Sequence, residues 1–151
     1  MIQKAFVMLK PDSVARDLVG DIIGRFEKKG LNIAAMKLIQ LDLETASKLY
    51  GIHKDKEFYD ALLKYVTSGP VVVMVIDGYR AIEGVRMMVG ATDPISAEKG
   101  SIRGDFALFI RKNLVHASDS KESAAREISI FFSDEEVLIY NKPTGIWVYE
   151  E

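Results

Sequence analysis

Val71-Val72-Val73-Met74-Val75-Ile76-Asp77 is a seven-residue run with a single charge, at its end. A strand with one wet face alternates apolar and polar residues. This run does not, so both its faces must be covered, and it predicts the central strand of a sheet. Ser68-Gly69-Pro70 punctuates the chain just before it. Downstream, residues 79–89 place Ile82, Val85 and Val89 at helical spacing. Upstream, residues 5–9 read as a second buried strand, ended at Lys10-Pro11 because proline cannot donate to a ladder. Asp12 or Ser13 is placed to cap the next helix, in which Val19, Ile22, Ile23 and Phe26 recur and which Gly30 stops. Residues 32–42 predict a strand, and 44–50 and 57–66 two shorter helical segments. Residues 90–104 predict a long loop, 105–110 a fourth strand, 112–120 a segment without regular structure, and 121–132 a helix followed by an irregular tail. The main order is strand, helix, strand, strand, helix, strand. That is the ferredoxin-like βαββαβ pattern, an α/β (α+β) fold. It calls for one four-stranded antiparallel sheet with helices on one face, short helices inserted after the second strand, and a long loop.

The 151 residues suit one domain, 1–151, and their composition, 48% apolar and 28% charged, is that of an ordinary globular chain. A net charge of −2 argues against a generally basic nucleic-acid binder. Without cysteine there is neither a disulfide framework nor a thiolate nucleophile, which fits a reducing compartment. The opening Met1-Ile2-Gln3-Lys4 runs straight into a strand-like segment with no signal-peptide pattern, and the longest apolar run, 71–76, is too short to span a bilayer. The expectation is a cytoplasmic protein with no membrane contact.

Candidate chemistry gathers around one of only two histidines, in Asn113-Leu114-Val115-His116-Ala117-Ser118-Asp119-Ser120. A neutral imidazole is a good nucleophile near pH 7 when one ring nitrogen is free and the other is held by an acceptor. Eleven residues on, Glu127 could be that acceptor, although its position on the flank of the stripe Ala124, Ile128, Phe131 also suits a solvated glutamate. Arg86 falls on the apolar stripe of its helix. It is either a buried or snorkelling structural arginine or an anion ligand facing a cleft. Arg103, between Gly100 and Gly104, is an exposed loop arginine or a phosphate ligand whose glycines allow close backbone approach. Thr92 lies in the same loop, and Lys10 at a strand's carboxyl end. Arginine forks and a mobile ammonium are suited to phosphate oxygens. No Gly-x-x-x-x-Gly-Lys-[Ser/Thr] run is present, so the P-loop route to a nucleotide is absent. Asp119 with Glu122 resembles a capping box for the last helix.

With these residues assembled, the chain resembles the nucleoside diphosphate kinases over essentially its whole length. The octapeptide around His116 is similar to the family's signature Asn-x-x-His-Gly/Ala-Ser-Asp-Ser. Ser101-Ile102-Arg103-Gly104-Asp105-Phe106, Leu9-Lys10-Pro11-Asp12 and Ser68-Gly69-Pro70-Val71-Val72 match as well. The resemblance implies exchange of the terminal phosphoryl group between nucleoside triphosphates and diphosphates by a ping-pong route, with His116 forming a phosphohistidine. Glu127 would orient the ring, supported by Ser118, while Lys10 and Tyr50 stabilise the transferring group. Arg86, Thr92 and Arg103 would hold the outer phosphates, and Asn113 and Lys10 the sugar hydroxyls. Phe58 would stack on the base, with Leu62 and Ile110 nearby. Mg²⁺ is the implied cofactor, its water shell placed indirectly by Asp119. A homo-oligomer is implied, most often a hexamer in the family and sometimes a tetramer, with a hexamer expected here, residues 90–104 with Pro94 resembling the family's inter-subunit loop. Ala117 and Arg111 stand where glycine is commoner, and Tyr59, Asp60 and Ala61 depart from the usual residues beside the base slot.

Three other readings fare worse. An RNA-recognition sheet needs paired aromatics on its middle strands, and 71–77 has none. A non-catalytic homologue would lack the histidine or a phosphate ligand. A histidine phosphatase would be expected to carry arginine immediately before its histidine, where Val115 stands.

Overall fold

The computed structural model describes residues 1–150. In chain order its elements are β1 (Ile2–Leu9), α1 (Pro11–Ala15), α2 (Val19–Lys29), β2 (Asn32–Ile39), α3 (Leu43–Tyr50), α4 (Tyr59–Val66), β3 (Val71–Tyr79), α5 (Ala81–Val89), α6 (Ile102–Phe106), β4 (Val115–Ala117) and α7 (Lys121–Phe131). The strands form one antiparallel sheet in the order β2-β3-β1-β4, as the βαββαβ pattern requires. β3 pairs on both sides, with β1 from Ile2↔Tyr79 to Leu9↔Val72, and with β2 through a register irregularity between Ile33 and Ala35.

Why β3 carries no polar alternation is now evident. Val72, Met74 and Ile76 pack with Ala5, Val7 and Leu9 against Ile22 and Phe26 of α2 and Ile82, Val85 and Val89 of α5. Val71, Val73 and Val75 pack with Phe6 and Met8 on the opposite face, under Ala46 and Leu49 of α3, Leu63 and Val66 of α4 and Phe131 of α7. The helices therefore cover both faces of the sheet, not one. The inserted pair α3–α4 supplies the second cover.

Several boundaries differ from the sequence expectation for local reasons. β2 ends at Ile39, because the Asp42 side chain accepts from Thr45 N–H at 2.7 Å and starts α3. Neither Asp12 nor Ser13 caps a helix. Pro11 opens α1, the Ser13 hydroxyl donates to the Leu114 carbonyl at 2.8 Å, and Asp12 bonds elsewhere. Tyr79 closes β3, and Arg80, at φ 49°, turns the chain into α5. Residues 105–110 are not a strand. Ser101 accepts from Gly104 N–H and starts α6 at Ile102, which also ends the predicted loop early. The fourth strand is β4, three residues inside the segment expected to be irregular, and it pairs with β1 at His116↔Met8. The cap of α7 is Ser120, accepting from Ser123 N–H at 3.0 Å, rather than an Asp119–Glu122 box. The tail carries two 3-10 turns, Asp134–Glu136 and Pro143–Trp147. No helix among the described residues is long and apolar enough to cross a membrane.

Candidate active site

β4 sets the centre of the site. Lys10 N–H donates to the Leu114 carbonyl at 2.8 Å, and the Ser118 N–H and hydroxyl both bond the Phe6 backbone at 3.0 Å, so both ends of β4 are fastened to β1. His116 lies between those fastenings. Its Nε2 is 2.8 Å from Glu127 Oε1. Glu127 projects from α7 and is buried, not solvated, and its second oxygen faces Arg126 at 3.5 Å. A carboxylate only accepts, so Nε2 carries the ring proton and Nδ1 keeps its lone pair. Phe6 and Tyr50 pack on the imidazole, Tyr50 edge-on with centroids 5.4 Å apart. Ser118 makes its contact with Phe6 and supports His116 through the strand backbone, not through Glu127.

A cleft of about 510 Å³ opens over this histidine. It is lined by Lys10, Tyr50, Phe58, Leu62, Arg86, Thr92, Arg103, Ile110, Asn113, His116, Asp119 and Glu127. Every expected site residue except Ser118 therefore meets in one place, delivered by α3, α4, α5, α6, α7 and β4. Phe58, Leu62 and Ile110 form an apolar mouth, with Phe58 37% exposed. The cations gather deeper. Arg86 is exposed at the rim, reaching the Ala117 carbonyl at 3.2 Å, which decides against a buried structural arginine. Arg103 is buried, and not an exposed loop side chain. Its guanidinium donates to the carbonyls of Asn113 at 3.2 Å, Gly90 at 3.0 Å and Val115 at 2.6 Å. Three of five N–H groups are thus engaged, and two remain for an anion.

Burial and neighbouring cations govern the electrostatics. Burial, then the Arg103 guanidinium, push the Lys10 ammonium down to about 7 against the opposing pull of Asp12. Burial and Arg86 lower Arg103 to about 10. Both shifts mark cations that burial and neighbouring positive charge destabilise, a condition that an anion in the cleft would relieve. The Tyr50 phenol is pushed up, first by burial and then by Glu127, and stays protonated. Its buried hydroxyl has no hydrogen-bond partner among the described residues. A hydrogen bond from Ser123 holds the Asp119 carboxyl below the usual carboxylate range. Among the described residues no cluster of three or more acidic, histidine or cysteine side chains could grip a metal ion. Asp119 is the one aspartate lining the cleft.

Sequence reasoning missed His53 and Tyr65, which also line the cleft. His53 packs 5.5 Å from Phe58, and burial lowers its pKa. Its signal was faint, a histidine three residues beyond Tyr50 in a polar turn. Tyr65 sits at a core position of α4 and reads as packing alone.

A family model described as nucleoside diphosphate kinase matches residues 3–137. A nucleoside diphosphate kinase of Archaeoglobus fulgidus is 53% identical over 150 residues, 99% of each chain. One of Ignicoccus hospitalis is 56% identical over 137 residues, covering 91% of this chain and 93% of its own. The structure is similar to that of a halophilic nucleoside diphosphate kinase from Halobacterium salinarum in complex with CDP. That likeness has a TM-score of 0.96 at 43% identity, over 99% of this chain and all of the other.

Proposed function

The chain belongs to the nucleoside diphosphate kinase family and exchanges the terminal phosphoryl group between nucleoside triphosphates and diphosphates, and from that premise we propose that the exchange runs through a phosphohistidine on His116. The observation that carries this is the 2.8 Å bond from His116 Nε2 to buried Glu127 inside a cleft lined by cations. The Nδ1 lone pair attacks the terminal phosphorus of a triphosphate, the bond to the bridging oxygen breaks, and the diphosphate leaves with that electron pair. A second diphosphate enters the same cleft. An oxygen of its terminal phosphate attacks the phosphorus, the P–N bond breaks, and the imidazole is restored.

The protein's part is positioning and charge neutralisation. Lys10 and the unpartnered Tyr50 hydroxyl face the transferring group. Arg86, Arg103 and Thr92 hold the outer phosphates, and Asn113 with Lys10 takes the sugar hydroxyls. Phe58 stacks on the base beside Leu62 and Ile110, a contact that suits every base because each has a π-face. The donor set fits a Mg²⁺ that arrives on the nucleotide, since such an ion takes few protein ligands. When bound, it neutralises phosphate charge, and Asp119 would hold its water shell. We further propose a cytoplasmic homohexamer, the assembly habitual in the family.

The test is intact mass after incubation with ATP and Mg²⁺, for the wild type and His116→Ala. The wild type alone gains one phosphoryl group, acid-labile and discharged by GDP. A wild type that binds nucleotide but gains no mass would overturn the mechanism.

A further inference from the structure

Two ammonium groups face one phenol ring beside the cleft. Lys10 Nζ lies 5.5 Å from the Tyr65 ring centroid and Lys112 Nζ 4.5 Å, both within the roughly 6 Å reach of a cation–π contact. The ring is held in place. Tyr65, on α4, donates its hydroxyl to Asp12 Oδ1 at the start of α1, and Asp12 Oδ2 accepts from Leu114 N–H at 3.2 Å. One carboxylate thus joins α4, α1 and the turn into β4.

Lys10 needs such help. It is 7% exposed and forms no ion pair among the described residues, and its hydrogen bond goes to the neutral Asn113 Oδ1 at 2.8 Å. A buried ammonium with no directly paired carboxylate is costly. The groups facing it are Arg103 from α6, which opposes its charge, Asp12 from α1, which favours it, the Asn113 amide, and the Tyr65 ring, over which Lys112 also lies. A carboxylate placed where the ring stands would hold the ammonium but cancel its charge toward phosphate. A π-face attracts the cation through its quadrupole and leaves the net positive charge in the cleft.

We infer that Tyr65 is a positioning residue for the reaction: the π-face of its ring holds the Lys10 ammonium ion in the cleft. This rests on the reading of Lys10 as a phosphate-facing cation. Tyr65 acts through Lys10.

The test is kcat/KM for a diphosphate acceptor against pH, which reports groups of the free enzyme. Wild type falls above about pH 7 as Lys10 loses its proton, and Lys10→Met removes that limb. Tyr65→Phe keeps the ring and keeps the limb. Tyr65→Leu moves the limb down by about 0.5–1 pH unit, with roughly a 3- to 10-fold loss above it. Because leucine leaves a void at this packed position, pentafluorophenylalanine at position 65 gives a second arm. It keeps the shape of phenylalanine and reverses the quadrupole, and it moves the limb as leucine does. If the phenylalanine and pentafluoro enzymes share one limb while Lys10→Met lacks it, the role of Tyr65 is overturned and that of Lys10 stands. A limb that survives Lys10→Met overturns the reading of Lys10 itself.

Discussion

Lys10 is the residue whose charge depends most on what the cleft holds. With a pKa of about 7, it is mostly neutral at pH 8 in the free enzyme and mostly charged below pH 6. A polyanion favours the charged form, so binding raises the pKa and draws a proton from solution. The expected outcome is uptake of up to about one proton per site on binding a diphosphate at pH 8, falling toward zero near pH 6. Calorimetry in two buffers of different ionisation enthalpy measures it. Lys10→Met should remove the uptake, and equal uptake in that variant would assign the proton to another group. The same logic explains why Lys10 looked ordinary as a sequence letter. Its meaning comes from Arg103 and Asn113, about a hundred residues away, and from burial that only the fold creates.

At the scale of elements, the turn through Gly100 and α6 carries Arg103 to the proposed phosphate site. A Cβ on Gly104 would lie 2.0 Å from the Glu98 carbonyl oxygen, and Gly100 adopts φ 92°. The chain closes tightly there, and Arg103 is thereby aimed at Gly90, Asn113 and Val115. Gly104→Ala must push backbone against backbone, so it should cost about 1–3 kcal/mol. It should also weaken nucleotide binding, because Arg103 moves with the turn. Thermal unfolding and a binding titration check both, and an unchanged melting temperature would sink the prediction. The glycines around Arg103 were legible as a sign of close approach. α6 and β4 were not. β4 is three residues long, too short for alternation to declare itself, and 105–110 reads apolar enough to imitate a strand. By contrast, 71–77 could be placed at the sheet centre because uninterrupted apolarity has a direct physical meaning. That Phe58 lines the cleft was legible from the family resemblance and that Arg86 does from its place on the helix stripe, while the position of Tyr65 was hidden because a core position and a supporting role look alike.

The whole molecule leaves apolar surface uncovered. β2 is an edge strand with Met36 and Leu38 exposed, only partly closed by bonds from Leu138 and Tyr140 to Ala34 and Ile33. Ile139, Ile146 and Trp147 of the tail are exposed as well. A bare edge and an apolar tail invite further chains, which agrees with the proposed hexamer. Light scattering at micromolar concentration should return six times the chain mass, and a monomer mass would exclude the assembly. Finally, one cleft opens over His116. In the proposed mechanism donor and acceptor occupy it by turns, and each visit leaves His116 either loaded or bare. At equilibrium the fraction of loaded molecules therefore follows the ratio of triphosphate to diphosphate in the surrounding pool, whatever its total amount. The protein population becomes a gauge of how highly charged that pool is, readable from one histidine.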